Sequence, residues 1–235
     1  MFEPLVLLPG ILSDMRLFLP QITTLSREMP VMVAPTMLGE RVDEIASGLL
    51  PTLPQKFALM GHGFGGIIAM ELARRAPERI TRLALSSTSP LPETPQDSGE
   101  RELRIVGARA GRFDDVIAKE IPPEALGAAQ RATVYPKLQT MARTGGAEAY
   151  VRQSRAMQRR RDQQSTMRRL KMPVMVICGE HDPIFPVKRH GFMASLIPYA
   201  ELSVIPGAGH LPTLEAPTAM TDVIRKWMAQ PLVLR

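Results

Sequence analysis

The stretch ALMGHGFGGIIAMELARRAP, residues 58–77, constrains the fold more than any other part of the chain. An apolar strand runs through a glycine-rich corner into a helix, and Pro77 ends that helix because its ring cannot continue it. Gly61, Gly63 and Gly66 fit G-x-G-x-x-G, which lets a backbone approach a dinucleotide pyrophosphate at a helix N-terminus. Gly61 and Gly65 equally frame G-x-S-x-G, the sharp turn that lifts a serine nucleophile above a sheet, with Gly63 where the serine belongs. The two readings demand different partners elsewhere.

Short, nearly continuous apolar runs recur at 5–9, 31–34, 57–60, 82–86, 173–178 and 201–205, as in parallel strands covered on both faces. Helical stretches fall between them at 16–28, 41–50, 64–76, 187–197 and 217–229. This alternation predicts an α/β fold, a mostly parallel sheet with helices on both faces. The rhythm stops between 91 and 170, where helical character continues without a convincing strand. Residues 1–90 and 171–235 are therefore expected to form one core, and 91–170 a helical cap over the strand ends, where such sheets bind ligands. Met141, Met157 and Met167 in that segment suit an adaptable apolar surface or ordinary packing equally well. A chain of 235 residues, 45% hydrophobic and 22% charged, has the size and composition for one such core with an insertion.

A dinucleotide site needs an acidic residue about 20 positions after the glycines to hold a ribose hydroxyl. Ser86, Ser87 and Thr88 stand there, and Glu93 follows only after two prolines. The nucleophile-turn reading needs an acid and then a histidine, in loops after later strands. VMVICGEHDPIFP supplies Asp182 after the 173–178 strand, and LSVIPGAGHLPTLEAP supplies His210 after the last strand. Pro9-Gly10-Ile11 follows the first strand, where a second oxyanion donor is required. Together these elements resemble the α/β-hydrolase superfamily over essentially the whole chain, most closely its small capped carboxylesterases and lactonases. The resemblance implies a triad in which Asp182 orients His210, His210 activates the residue at position 63, and the Ile11 and Phe64 N–H groups bind the oxyanion. Two departures stand out: Gly63 replaces the nucleophile, and Pro9 replaces a histidine present in many members.

The other titratable residues get plainer readings. Glu180 competes with Asp182, but the family's acid directly precedes the proline, as Asp182 precedes Pro183. His62, at an extended strand end, is expected to pack away from the pocket, and His181 and His190 to lie on the surface. Glu215 is expected to favour the start of the final helix electrostatically. Four scattered histidines and the single Cys178 form no metal-ligand set, and no cofactor is implied. Cys178 reads as a small core residue in a reducing compartment. Between residues 152 and 171, eight arginines and lysines face only Asp162, more than accounting for the net charge of +6. Without interleaved aromatics this run does not read as a nucleic-acid site; a solvated helix face is expected, with recognition of an anion near a pocket as the alternative. The N-terminus reads as a strand rather than a signal peptide, and no apolar run approaches the ~18 residues of a membrane span, so a cytoplasmic protein is expected. Oligomeric state is not encoded in any of these features.

Three functions are compatible with these residues. The first is a serine-type hydrolase of a small carboxylic ester or lactone whose nucleophile has been replaced by Gly63. The second is a non-catalytic small-molecule binding protein of the same fold. The third is a His210–Asp182 dyad acting without a covalent intermediate. Retention of Asp182, His210 and the Pro9-Gly10-Ile11 loop favours the first.

Overall fold

A computed structural model describes residues 3–232. Six strands, β1 (Leu5–Leu8), β2 (Val31–Val33), β3 (Phe57–His62), β4 (Ile80–Ser86), β5 (Val174–Gly179) and β6 (Ala200–Ile205), form one sheet in the order β2-β1-β3-β4-β5-β6. Every adjacent pair is parallel. All residues of β1, β3 and β5 are buried, which explains their unbroken apolar character, whereas the edge strands β2 and β6 are partly exposed.

The helices predicted between strands are present as α1 (Leu19–Leu25), α2 (Val42–Leu49), α3 (Phe64–Arg75), α8 (Val187–Leu196) and α10 (Pro217–Met228), the last preceded by the short α9 (Pro212–Glu215). The chain steps from β1 to β2 in one direction and from β3 through β6 in the other. Right-handed crossovers therefore put α1 on one face and α3 and α8 on the opposite one. In agreement, α1 packs on α10 while α2 packs on α3. The strand order reverses between β1 and β3, and an open α/β sheet has its ligand crevice beyond the strand ends at such a reversal. Pro9-Gly10-Ile11 and Gly63 leave the sheet at that point.

Between β4 and β5 the chain makes a wholly helical excursion through α4 (Pro95–Arg109), α5 (Phe113–Glu120), α6 (Arg131–Gln158) and α7 (Gln164–Met167). Thr94 and Asp97 form a reciprocal capping box at the start of α4. Gly146, at φ 80° and ψ 165°, breaks α6 into two helices. The excursion closes on itself: the Gln163 N–H donates to the Pro90 carbonyl at 2.8 Å.

The basic run is not one solvated face. Arg155 pairs with Glu102, Arg152 donates to the Met37 carbonyl, and the Arg160 side chain is only 8% exposed, donating to the Leu91 carbonyl at 2.9 Å and to Glu93 at 3.2 Å. Arg168, Arg169 and Lys171 instead join Lys56 and Arg74 around an open groove of about 1110 Å³ that also touches Ile80 and Met172, at the opposite end of the strands from Gly63. The helical period places charges at alternating depths, so a run that is uniform in sequence divides in space. Arg160→Gln is expected to cost about 1–3 kcal/mol, because the Leu91 carbonyl loses a charged donor while Glu93 keeps Arg101. The exposed Arg161→Gln is expected to leave the melting temperature unchanged within the error of a thermal melt, which measures both variants.

Candidate active site

The glycine corner is shaped by contact between backbones. A Cβ at Gly65 would lie 2.0 Å from the Leu8 carbonyl oxygen, so only glycine lets α3 start directly against the end of β1. Gly63 differs. Its φ of 52° and ψ of −116° are the strained geometry of a nucleophile turn, but a Cβ there would meet only Gly10 Cα at 3.7 Å and the Ser87 carbonyl at 3.9 Å. Space does not exclude a side chain at position 63. Leu12 (φ 59°) and Ser87 (φ 45°) add two further positive-φ residues at this end of the sheet.

The structure brings together the residues expected at the site. His210 Nδ1 donates to Asp182 Oδ2 at 3.0 Å, leaving Nε2 to exchange a proton with a ligand. The other Asp182 oxygen, Oδ1, accepts the Ile184 and Phe185 N–H groups at 2.9 and 3.0 Å. Both side chains are buried. Burial disfavours the imidazolium, but the Asp182 charge and hydrogen bond outweigh it and hold the His210 pKa above its ordinary 6.5. Burial likewise opposes the Asp182 carboxylate, and His210 together with the Phe185 amide keeps its pKa low. Glu180 is exposed and accepts from the Gly207 amide at 2.9 Å, which removes it as the competing acid. Neither the Ile11 nor the Phe64 N–H donates to an acceptor among the described residues. Phe64 opens α3, so its amide is one of the orphan donors of a helix start.

Ile11, Gly63, Phe64 and His210 line a cavity of about 60 Å³ with Gly10, Ser13, Ile184, Phe185 and Leu211, roofed from the helical excursion by Arg101, Glu120, Ile121 and Met157. At about 10–15 Å³ per water, this is space for a few waters or a short acyl group. Of the three methionines singled out from sequence, only Met157 lines it among the described residues.

Three expectations need correction. His62 does not point away: it lines the cavity with its ring 5.3 Å from that of His210 and its Nδ1 3.3 Å from Ser86 Oγ. His62 does end β3 as expected, but Gly10 carries no side chain and leaves room for the ring on the cavity side: a Cβ there would lie 3.1 Å from His62 Cδ2. Burial and the neighbouring His210 push its pKa down to about 3. His190 is buried rather than superficial, and its Nε2 accepts the Thr88 N–H at 3.3 Å. Glu215 does more than face a helix dipole: its buried carboxylate accepts the N–H groups of Gly127 (2.6 Å), Gly209 (2.8 Å) and Leu211 (2.7 Å). The His210 amide also donates to the Ala125 carbonyl at 2.8 Å. One carboxylate thus fastens the histidine loop to the helical excursion. Arg101 and Glu120 escape sequence reasoning, because they lie on separate amphipathic helices with no motif spacing to mark them.

A family model described as "Alpha/beta hydrolase family" matches residues 14–223. A pimeloyl-(acyl-carrier protein) methyl ester esterase from Aromatoleum aromaticum is 28% identical over 209 residues, covering 80% of this chain and 81% of that protein. A thermophilic esterase from Thermogutta terrifontis superimposes with a TM-score of 0.86 at 24% identity, over 96% of this chain and 89% of that one. The enol-lactonase from Burkholderia xenovorans has a TM-score of 0.86 at 20% identity, over 98% and 92%.

Two measurements follow from the geometry. Glu215→Gln keeps one carbonyl oxygen and turns an NH₂ toward backbone donors. It is expected to cost about 1–3 kcal/mol, with amide hydrogen exchange accelerating together at Gly127, Gly209 and Leu211. In an NMR pH titration, His210 is expected to titrate above 6.5, His190 below it, and His62 only near about 3. The unfolded chain takes up protons below pH 6.5 that His62 and His190 refuse, so these two residues lower stability as pH falls. His210 acts in the opposite sense: its contribution is complete below 6.5 and is lost as pH rises through its folded value.

Proposed function

Because this chain belongs to the alpha/beta hydrolase family, we propose that the cavity is the site of a hydrolase for a small carboxylic ester or lactone, with Gly63 at the nucleophile position. The observation that carries this reading is the combination at Gly63: nucleophile-turn backbone, room for a side chain, and His210, oriented from behind by Asp182, lining the same cavity. Residues 91–170 serve as the cap, supplying Arg101, Glu120, Ile121 and Met157 to the roof.

With a hydroxymethyl group at position 63, the chemistry is that of a triad. His210 Nε2 takes the hydroxyl proton as the oxygen attacks the ester carbonyl, and the Ile11 and Phe64 amides hold the oxyanion. The C–O bond to the alcohol breaks, and the alcohol leaves with the proton from His210. Water, deprotonated by the same nitrogen, then releases the acid. Asp182 fixes the tautomer and stabilises the imidazolium. As it stands the chain forms no acyl-enzyme, and about 10³–10⁴-fold catalysis over water is expected from the remaining groups.

The methyl ester named for the Aromatoleum relative makes methyl esters the first substrates to try. Gly63→Ser is expected to lose about 1–3 kcal/mol of stability, since a Cβ is strained at positive φ. It is also expected to gain a fluorophosphonate adduct at position 63 and burst-phase ester hydrolysis, both abolished by His210→Ala in the same background. Intact-mass spectrometry and stopped-flow kinetics read these outcomes. A folded Gly63→Ser protein that takes no adduct refutes the hydrolase reading in favour of the binding protein. Enzyme-like turnover by the Gly63 chain that stops on His210→Ala establishes the dyad instead.

A further inference from the structure

The roof of the cavity holds a buried ionic cluster that the hydrolytic steps do not use. Arg101 Nε donates to Glu93 at 2.6 Å and its Nη1 to Glu120 at 2.9 Å. Both Glu120 oxygens are engaged: Oε1 by Arg101, and Oε2 by the Tyr150 hydroxyl at 2.8 Å with Arg104 Nε at 2.9 Å. Arg160 adds a third guanidinium against Glu93. Three guanidinium groups thus meet two carboxylates, and the Arg101 and Glu120 side chains are each 7% exposed. Asp97 lies close enough to Arg160 to act on it electrostatically, but it sits at the exposed start of α4. Burial, opposed by Glu93 and reinforced by Arg101, pushes the Arg160 pKa down to about 10, as expected where positive charge is in excess.

Arg101 is the one guanidinium of the three that lines the cavity. Its Nη2 donates to no acceptor among the described residues and is not among the buried atoms left without a partner, so it is not sealed inside the protein. A guanidinium fixed through two nitrogens with the third free is preorganised for an incoming oxygen. The cavity's other charged lining groups are Glu120, whose oxygens are both taken, and His210 at the reacting end. Ile121 and Met157 make an apolar wall beside them, suited to the methylenes of a short chain.

We propose that Arg101 is a specificity-determining residue that receives, through Nη2, the free carboxylate of a short anionic ester such as the monoester of a small dicarboxylic acid. This rests on the hydrolase reading for the ester end, whereas the carboxylate end is tested separately. The incoming carboxylate balances the third guanidinium, and the cavity of about 60 Å³ limits the chain between the two ends to a few carbons.

Calorimetric titration of the unaltered Gly63 protein with succinate and with its neutral diamide, succinamide, tests the carboxylate end. Succinate is expected to bind roughly 10–100-fold more tightly, the equivalent of one charge-assisted hydrogen bond in a desolvated site. In the Gly63→Ser background, monomethyl succinate is expected to exceed methyl butyrate in kcat/KM by a similar factor, and Arg101→Gln to collapse that ratio. A thermal melt checks that the Arg101 variant is folded; if it is not, the two ligand pairs decide the matter without it. Equal or absent binding of succinate and succinamide overturns the proposal. So does an ester ratio near one, or a ratio that persists in folded Arg101→Gln. If Gly63→Ser forms no adduct while succinate still outbinds succinamide and folded Arg101→Gln removes that difference, the hydrolase reading falls and the carboxylate subsite stands; a difference that survives Arg101→Gln belongs to the His210 end and overturns the proposal.

Discussion

The contact between the first turn of α3 and the end of β1 governs the rest of the site. Gly65 lies so close to the Leu8 carbonyl that no Cβ fits, and this draws the two strand ends on either side of the topological reversal together. Two features follow. The orphan amide of Phe64 and the amide of Ile11 come to line one small cavity, and Gly63 is held in a conformation its neighbours impose. An alanine at position 65 would separate all of these at once.

Titratable groups within this small volume are driven in opposite directions by their surroundings. His62 and His210 are ring neighbours and both buried, yet one is held neutral and the other is drawn toward its cation. The difference is Asp182, which reaches His210 Nδ1 at 3.0 Å, while His62 has only the Ser86 hydroxyl. A neutral His62 beside a charged His210 adds packing without adding repulsion. The excess positive charge lies at the roof, away from the imidazole.

Much of this was legible in the sequence, for reasons particular residues make plain. The parallel sheet was readable because β1, β3 and β5 are buried on both faces and so lack polar interruptions. Asp182 and His210 were readable because strand ends and turn residues mark the loops that hold them. His62 and His190 were misread: the first was placed on the strand end but faces the cavity through the room Gly10 leaves, and the second is on a helix whose burial depends on what covers it. Arg101 and Glu120 gave no signal, since charged residues on amphipathic helices look solvated until another helix lies over them. Glu215 gave half a signal, because its position before Pro217 suggested a helix start and concealed the Gly127 amide from a distant segment and two amides from its own loop.

The hydrogen bond from Gln163 to Pro90 makes the helical excursion begin and end at nearly one point. To the sheet, more than seventy residues of chain are topologically equivalent to a tight turn between β4 and β5. The entropy of closing such a loop grows only with the logarithm of its length, so its content can change while the strands beneath keep their register. What cannot change freely is the second point of attachment, where Ala125 and Gly127 meet the histidine loop. Side chains such as Arg152, on the Met37 carbonyl, tie the excursion down elsewhere, but its two backbone fittings differ in kind: one that any helical insert closing at its own base can satisfy and one that requires a particular backbone beside the imidazole. A new roof grafted onto this sheet would succeed or fail at that second fitting, whatever its own stability.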